Sequence, residues 1–235
     1  MWSTSVFRFG KSRSRRTGYS KPAALRRHSF RPCLEGLEDR YVPSTLFVTS
    51  NADNSAAGTL RSAVQQAHKN DTIEIDTTQT IVLTQGLIVL GKDLTIEAAK
   101  NTTATVSGGF TSGIFEVFAS VTLNHLDFIN SGGAIFEETS NLTVNNCSFS
   151  GNSTRVGGAG GAIADAGGNL TVNNCTFSGN SANANAGGAI AAYPTTGGQG
   201  IPTYWPVLSI NNSTFSGNTA TAAEPSTIVE QPALA

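Results

Sequence analysis

Hydrophobic and polar positions alternate along most of this chain, but only in short bursts. Residues 45–50, TLFVTS, alternate with β-branched side chains and predict a strand. The period changes over residues 58–70, GTLRSAVQQAHKN, where Leu60, Ala63, Val64 and Ala67 fall at helical spacing and Thr59 can cap the start through its side-chain oxygen. Residues 71–76 return to alternation, with Ile73 and Ile75 on one face, and residues 80–90 add a more continuous apolar run. From there one apolar triplet keeps returning: Leu94-Thr95-Ile96, Val121-Thr122-Leu123, Leu142-Thr143-Val144, Leu170-Thr171-Val172 and Leu208-Ser209-Ile210, at spacings of 27, 21, 28 and 38 residues.

The triplets belong to a longer phrase, LTVNNCSFSGN over residues 142–152, LTVNNCTFSGN over 170–180 and LSINNSTFSGN over 208–218, and GGAI precedes each copy at 132–135, 160–163 and 187–190. A period in the twenties means a solenoid, in which each unit buries its apolar face only by stacking on its neighbours. Each unit holds strand-like pieces separated by Gly or Asn and nothing that reads as a helix, which is one coil of a parallel β-helix. Superposed coils align Phe128, Phe149, Phe177 and Phe215, and also Asn152, Asn180 and Asn218, with Asn130 one place early. Coils stack about 4.8 Å apart, so like side chains lie one above another and Asn amides can form ladders.

With these residues in place, the body resembles the right-handed parallel β-helix of the pectate-lyase-like proteins. Its paired GGAI and FxxN phrases, the latter at 149–152, 177–180 and 215–218, are similar to the repeats of polymorphic outer membrane proteins. The stretch TLRSAVQQAHKNDTIEI resembles the opening of bacterial proteins of this type, where a helix caps the coil stack. The ending RPCLEGLEDRYVPS of the leader resembles the LEPR-XLL sorting segment of planctomycete exported proteins. These resemblances imply an all-β fold: a right-handed, single-stranded parallel β-helix with a short N-terminal capping helix. The expected organisation is a basic leader over residues 1–44, a β-helix over 45–224 with a capping strand and helix at 45–76 and about five coils, and a flexible tail over 225–235. The last coil, ending near Asn218, has no evident cap, so either the tail covers it, or the chain associates end to end, or the coding sequence continues.

Composition divides the chain in two. Charged residues make up 13% of 235, yet residues 1–44 hold ten Lys or Arg against three Asp or Glu, and the remainder holds five against thirteen. The leader is a basic sorting or anchoring segment or, on its charge alone, an extended tail that binds polyanions loosely. No nucleic-acid partner is expected of the acidic body, and no apolar run is long enough for a transmembrane helix. Cys147 and Cys175 superpose on one interior column and read as reduced, buried thiols, a disulfide being the alternative; Cys33 stands apart. His28, His68 and His125 lack metal-ligand spacing.

Three features carry candidate chemistry. Glu116, Glu137 and Asp165 each stand two residues after an Ile of successive coils, which predicts a carboxylate column: a solvated edge, a Ca²⁺ site, or the acid and base of a polysaccharide-cleaving enzyme. From residue 138 on Arg155 is the one cation, so no Lys or Arg column accompanies it, and none of the lyase family's catalytic residues carries over. Thr95, Thr122, Thr143, Thr171 and Ser209 form an outward ladder that suits a strand's wet face or a glycan or ice surface. The insertion over residues 193–206 offers Tyr193, Tyr204 and Trp205 as a ligand-binding loop for glycans or envelope components, or as packing against the coil flank. The expected function is a non-enzymatic, extracellular or outer-membrane-associated module of adhesin or envelope-structural type. The alternative is a polysaccharide lyase or hydrolase.

Overall fold

The structure is a computed structural model and describes Gly18 and residues 42–154, 160–183, 187–196 and 202–221. The chain divides into two units, Met1–Arg40 and Tyr41–Ala235, and the described strands all belong to the second. The expected leader, apart from Gly18 and residues 42–44, and the expected tail over 225–235 lie outside the described residues.

Short apolar alternations separated by turns produce strands of two to five residues, too short to be stable unless each pairs with copies above and below. They do so on three faces. Face 1 has seven rungs among the described residues: Thr45–Val48, Asp71–Ile75, Leu94–Ala98, Val121–Asn124, Asn141–Asn145, Asn169–Asn173 and Val207–Asn211. Face 2 has six, Ile81–Val82, Ala104–Ser107, Leu126–Ile129, Ser148–Ser150, Thr176–Ser178 and Thr214–Ser216. Face 3 has five, Ile88–Leu90, Phe115–Val117, Ile135–Glu138, Ile163–Ala166 and Ile190–Tyr193. A short sheet of Ser153–Thr154, Ser181–Ala182 and Thr219–Ala220 joins faces 2 and 3 in the lower coils. Pairing is parallel throughout these sheets, so the fold is a parallel β-helix.

The sequence repeats set the register. Leu142 pairs with Leu170, Thr143 with Thr171 and Val144 with Val172, and every triplet from residue 94 on falls into the same three columns, two buried and one half-exposed until the last rung, where Leu208, Ser209 and Ile210 are all exposed. The opening strand and Asp71–Ile75 are rungs of the same face, so the Thr column runs through Thr45 and Thr72 as well as Thr95, Thr122, Thr143, Thr171 and Ser209. Inside, Phe128, Phe149 and Phe177 are fully buried, and the rings of Phe149, Phe177 and Phe215 stack at 4.7 Å within 2° of parallel. Each of the three fully buried rings contributes roughly 1.5–3 kcal/mol through burial, while Phe215 on the last rung is 43% exposed.

Corners between faces 1 and 2 are made by Asn101, His125, Asn146, Asn174 and Asn212, all left-handed with φ between 48° and 62°. Asn tolerates that conformation better than other residues with a side chain, which is why NN recurs in the repeat. The second corner, after face 2, uses Gly109, Asn130, Gly151, Gly179 and Gly217 in the same left-handed region. Asn130 therefore belongs to this corner and not to the interior amide ladder, whose top is Ser131: its amide and hydroxyl both donate to Asn152 Oδ1, at 3.1 and 2.8 Å. Below it Asn152 Nδ2 donates to Asn180 Oδ1 at 3.0 Å and Asn180 Nδ2 to Asn218 Oδ1 at 2.9 Å. The same Nδ2 atoms also donate to the carbonyls of Phe128 and Phe149, so these fully buried amides are well satisfied.

Helix α1, Leu60–Gln66, closes the first coil. Leu60, Ala63, Val64 and Ala67 are buried as their spacing predicts, and Thr59 Oγ1 accepts from the Ser62 amide at 3.3 Å as the N-cap. The helix stops short of residue 70 because Ala67 turns extended. Asp53 fastens it: it pairs with Arg61 at 2.7 Å and accepts from the amides of Thr84 and Gln85 at 2.6 and 2.7 Å. Burial pushes the Asp53 pKa up, but the Arg61 guanidinium and the two amides outweigh it and hold the carboxyl below its ordinary value.

Candidate functional site

The carboxylate column exists in two coils of the expected three. Glu137 pairs directly with Asp165 across face 3, but above Glu137 stands Val117, and Glu116 pairs with Phe136. Glu116 is therefore one residue out of register and points to the opposite side of the sheet, half-exposed. The reason is that Phe115, not Ile114, lies level with Ile135: the amides of Ile114 and Phe115 both donate to the Ala134 carbonyl, at 2.9 and 3.0 Å, as those of Ala162 and Ile163 do to the Ala189 carbonyl one coil on. That slip places Phe115 and Val117 inside, with the Phe115 ring edge-on to Phe128 at 5.9 Å and 78°. Packing an aromatic ring wins over keeping the Glu in line.

Nor is the column a solvated edge. Glu137 and Asp165 are both 0% exposed, in the interior at the corner from face 3 to face 1. Each carboxylate closes the turn that follows it: Glu137 Oε1 accepts from the Ser140 amide and hydroxyl, both at 2.7 Å, and Asp165 Oδ1 accepts from the Gly168 amide at 2.8 Å. The second oxygens, Glu137 Oε2 and Asp165 Oδ2, are buried and have no donor in the network. Burial, followed by the hydrogen bond with Asp165, raises the Glu137 pKa from 4.5 to about 7. Among the described residues no group of three or more His, Cys, Asp or Glu side chains is placed to hold a metal ion. The three-carboxylate Ca²⁺ site over Glu116, Glu137 and Asp165 is thus not assembled.

Gly168 is dictated by this pair. A Cβ there would lie 2.0–2.3 Å from the Glu137 carboxyl atoms of the coil above. Its neighbour Gly167, at φ 75°, touches the inserted loop, since a Cβ on it would meet Tyr204 Cβ and its carbonyl at 3.0 Å and Thr195 Oγ1 at 3.1 Å. The insertion folds as a small antiparallel hairpin of Thr195–Thr196 against Pro202–Tyr204, and the Val207 amide returns to the Gly168 carbonyl at 2.8 Å. The hairpin base thus packs on the turn that the acid pair supports. Thr195 Oγ1 is itself buried and without a partner.

Of the three aromatic residues expected in the loop, Tyr204 is 58% and Trp205 70% exposed, while Tyr193 is half-buried at the end of the last face 3 rung. Tyr204 and Trp205 are thus presented to solvent rather than packed on the coil flank. Burial first, then the charges of Asp165 and Glu138, push the Tyr193 phenol up. Sequence reasoning missed Ser140, Gly167, Gly168 and Thr195; the signal available was the phrase GGN, which follows Asp165 but not Glu137.

The remaining candidates are structural. Cys147 and Cys175 are free, buried thiols, and the sulfur of one coil accepts the backbone amide of the coil above: Leu126 to Cys147 and Cys147 to Cys175, both at 3.4 Å, with Ser213 Oγ taking the amide of Cys175 at 3.1 Å. The hydrogen bond with Cys175 and burial push the Cys147 thiol far up, which makes it inert at neutral pH. The outward Thr column is flanked by an amide ladder the sequence reading overlooked, Asn124, Asn145, Asn173 and Asn211, joined by hydrogen bonds of 2.9, 2.9 and 3.0 Å.

Residues 174–193, which run from the face 1 corner through the face 2 strand and GGAI to Tyr193, match the model of the Chlamydia polymorphic membrane protein (Chlamydia_PMP) repeat. No curated protein matches the chain. Among the described residues no helix is long and apolar enough to cross a membrane.

Proposed function

We propose that this chain is a non-enzymatic module of the cell surface or outer envelope, of adhesin or envelope-structural type, which binds glycans through its aromatic hairpin. Several observations support the reading. The matched repeat belongs to a family of polymorphic membrane proteins. The leader ends on a segment resembling an export sorting signal. The observation that carries it is the hairpin: Tyr204 and Trp205 stand largely exposed, next to each other, on a two-stranded loop inserted between repeats. Large planar side chains held clear of a rigid scaffold supply contact area at low entropic cost.

The enzyme alternative has less support. The carboxylates that would serve as acid and base in a polysaccharide lyase or hydrolase have no accessible surface in Glu137 and Asp165, and Glu116 faces the other way. A general acid must come within hydrogen-bond reach of its substrate. The test is a glycan array probed with the full chain and with Trp205→Ala and Tyr204→Ala, alongside a turnover assay on acidic polysaccharides. Saturable binding lost in either variant, with unchanged melting and no cleavage, is the expected result. Binding indifferent to both substitutions, or cleavage of any glycan, would overturn the reading.

A further inference from the structure

Two carboxylates in register on adjacent rungs, both fully buried, are an expensive arrangement for a small interior. Each has one oxygen satisfied by its own turn and one, Glu137 Oε2 or Asp165 Oδ2, that no donor reaches. Two bare charges cannot share such a place. Among the described residues no cation relieves them: the last Lys, Arg or His in chain order is His125, a corner residue, and Arg155 lies outside the described residues. What remains is a proton on Glu137 Oε2 donated to Asp165 Oδ2, which satisfies both orphaned oxygens at once and leaves the pair with one negative charge against three donors, from Ser140 and Gly168.

We propose that Glu137 and Asp165 hold a single proton between them and act as a pH-sensitive clasp on the aromatic hairpin. With the proton present, the turn through Gly167 and Gly168 and the hairpin base seated on it are held. When the Oε2–H bond breaks and the proton passes to water, two like charges face each other in the interior and the turn gives way. The groups facing the pair do not offset this. Above and below it in its column stand Val117 and Ala192, which are uncharged. Its own strand adds Glu138, the last rung adds the Tyr193 phenol, and the hairpin adds the Thr195 hydroxyl and the Tyr204 carbonyl at Gly167. None carries a positive charge. Coupling to the hairpin is direct, since Gly168 is pressed against the Glu137 carboxyl, Gly167 against Tyr204, and the Gly168 carbonyl accepts from Val207 at 2.8 Å.

The direction follows from the raised Glu137 pKa of about 7: the clasp is closed below that pH and opens above it. Two readouts on the full chain test this. The melting temperature of the protein should fall by roughly 5 °C or more between pH 5 and pH 8.5, and Glu137→Gln, whose amide can donate to Asp165 at any pH, should remove that slope. In a Trp2→Phe background, emission from Trp205 should change with a midpoint near pH 7 and lose the transition in Glu137→Gln. Should Glu137→Gln fail to fold, Asp165→Asn takes its place in both measurements. A melting temperature flat between pH 5 and 8.5 would overturn the proposal, and so would a Trp205 transition that survives the substitution.

Discussion

Two corners of the same coil solve the problem of a buried polar column in opposite ways. At the corner after face 2, Asn152 and Asn180 are fully buried and neutral, and their amides donate both to the next amide and to a backbone carbonyl. At the corner before face 1, Glu137 and Asp165 are as deeply buried but can only accept, so one oxygen of each is orphaned unless a proton is retained. An amide is donor and acceptor at once and repeats indefinitely; a carboxylate column stops after two rungs. The difference teaches that stacking identical side chains favours a solenoid only when each can satisfy its own copy. The first corner is indifferent to pH, and the second is not.

The largest effect should come from breaking the neutral side. Phe177→Ala empties the centre of the stacked ring column next to the amide ladder and is expected to cost roughly 3–5 kcal/mol, read by denaturant unfolding. An unchanged midpoint would contradict the register. On the acidic side, Gly168→Ala drives a methyl group into the Glu137 carboxyl and should cost about 1–3 kcal/mol. The same substitution in a Glu137→Ala background should cost much less, and strict additivity would mean that the two do not touch.

The pH dependence sharpens the contrast further. The folded-state pKa of Glu137, about 7, lies above its ordinary 4.5, so the native state holds more protons than the unfolded chain between those values. Stability therefore falls as pH rises through that window, by about 3 kcal/mol, and is restored as pH drops. Asp53 and Asp71 are shifted the other way; in each, burial is outweighed by hydrogen bonds, from Arg61 and the amides of Gln85 and Thr84 and from the amides of His68 and Ser44 respectively. Their contribution is lost only as pH falls below about 3.8, as is that of Asp93, held low by Lys69 and the Ser120 amide. The smallest effect is expected for Trp205→Ala, within about 0.5 kcal/mol of wild type because the ring is exposed.

Most of the fold was legible because it is written several times over. Leu142, Leu170 and Leu208 announce one column and Phe149, Phe177 and Phe215 another, and the structure pairs them as the phrases align. Helix α1 was legible for a different reason, a change of period over Leu60, Ala63, Val64 and Ala67 beside a capping Thr. Glu116 was misplaced because GIFE at 113–116 looks like AIFE at 134–137, whereas Phe115 and not Ile114 lies level with Ile135. Glu137 and Asp165 were half legible. They share parity with Ile135 and Ile163, so alternation put them on the buried face, yet their charge argued for solvent. The sequence could not say which would prevail, because the answer depends on a proton.

The most direct measurement is the carboxyl ¹³C titration of the full chain labelled at Glu and Asp side chains. Retention of a shared proton in the interior predicts one Glu resonance that titrates near pH 7, accompanied by a perturbation of one Asp, and lost in Glu137→Gln. If every carboxyl instead titrates below about pH 5, in the ordinary range for exposed Asp and Glu, the pair is open to water and the buried-acid account is wrong.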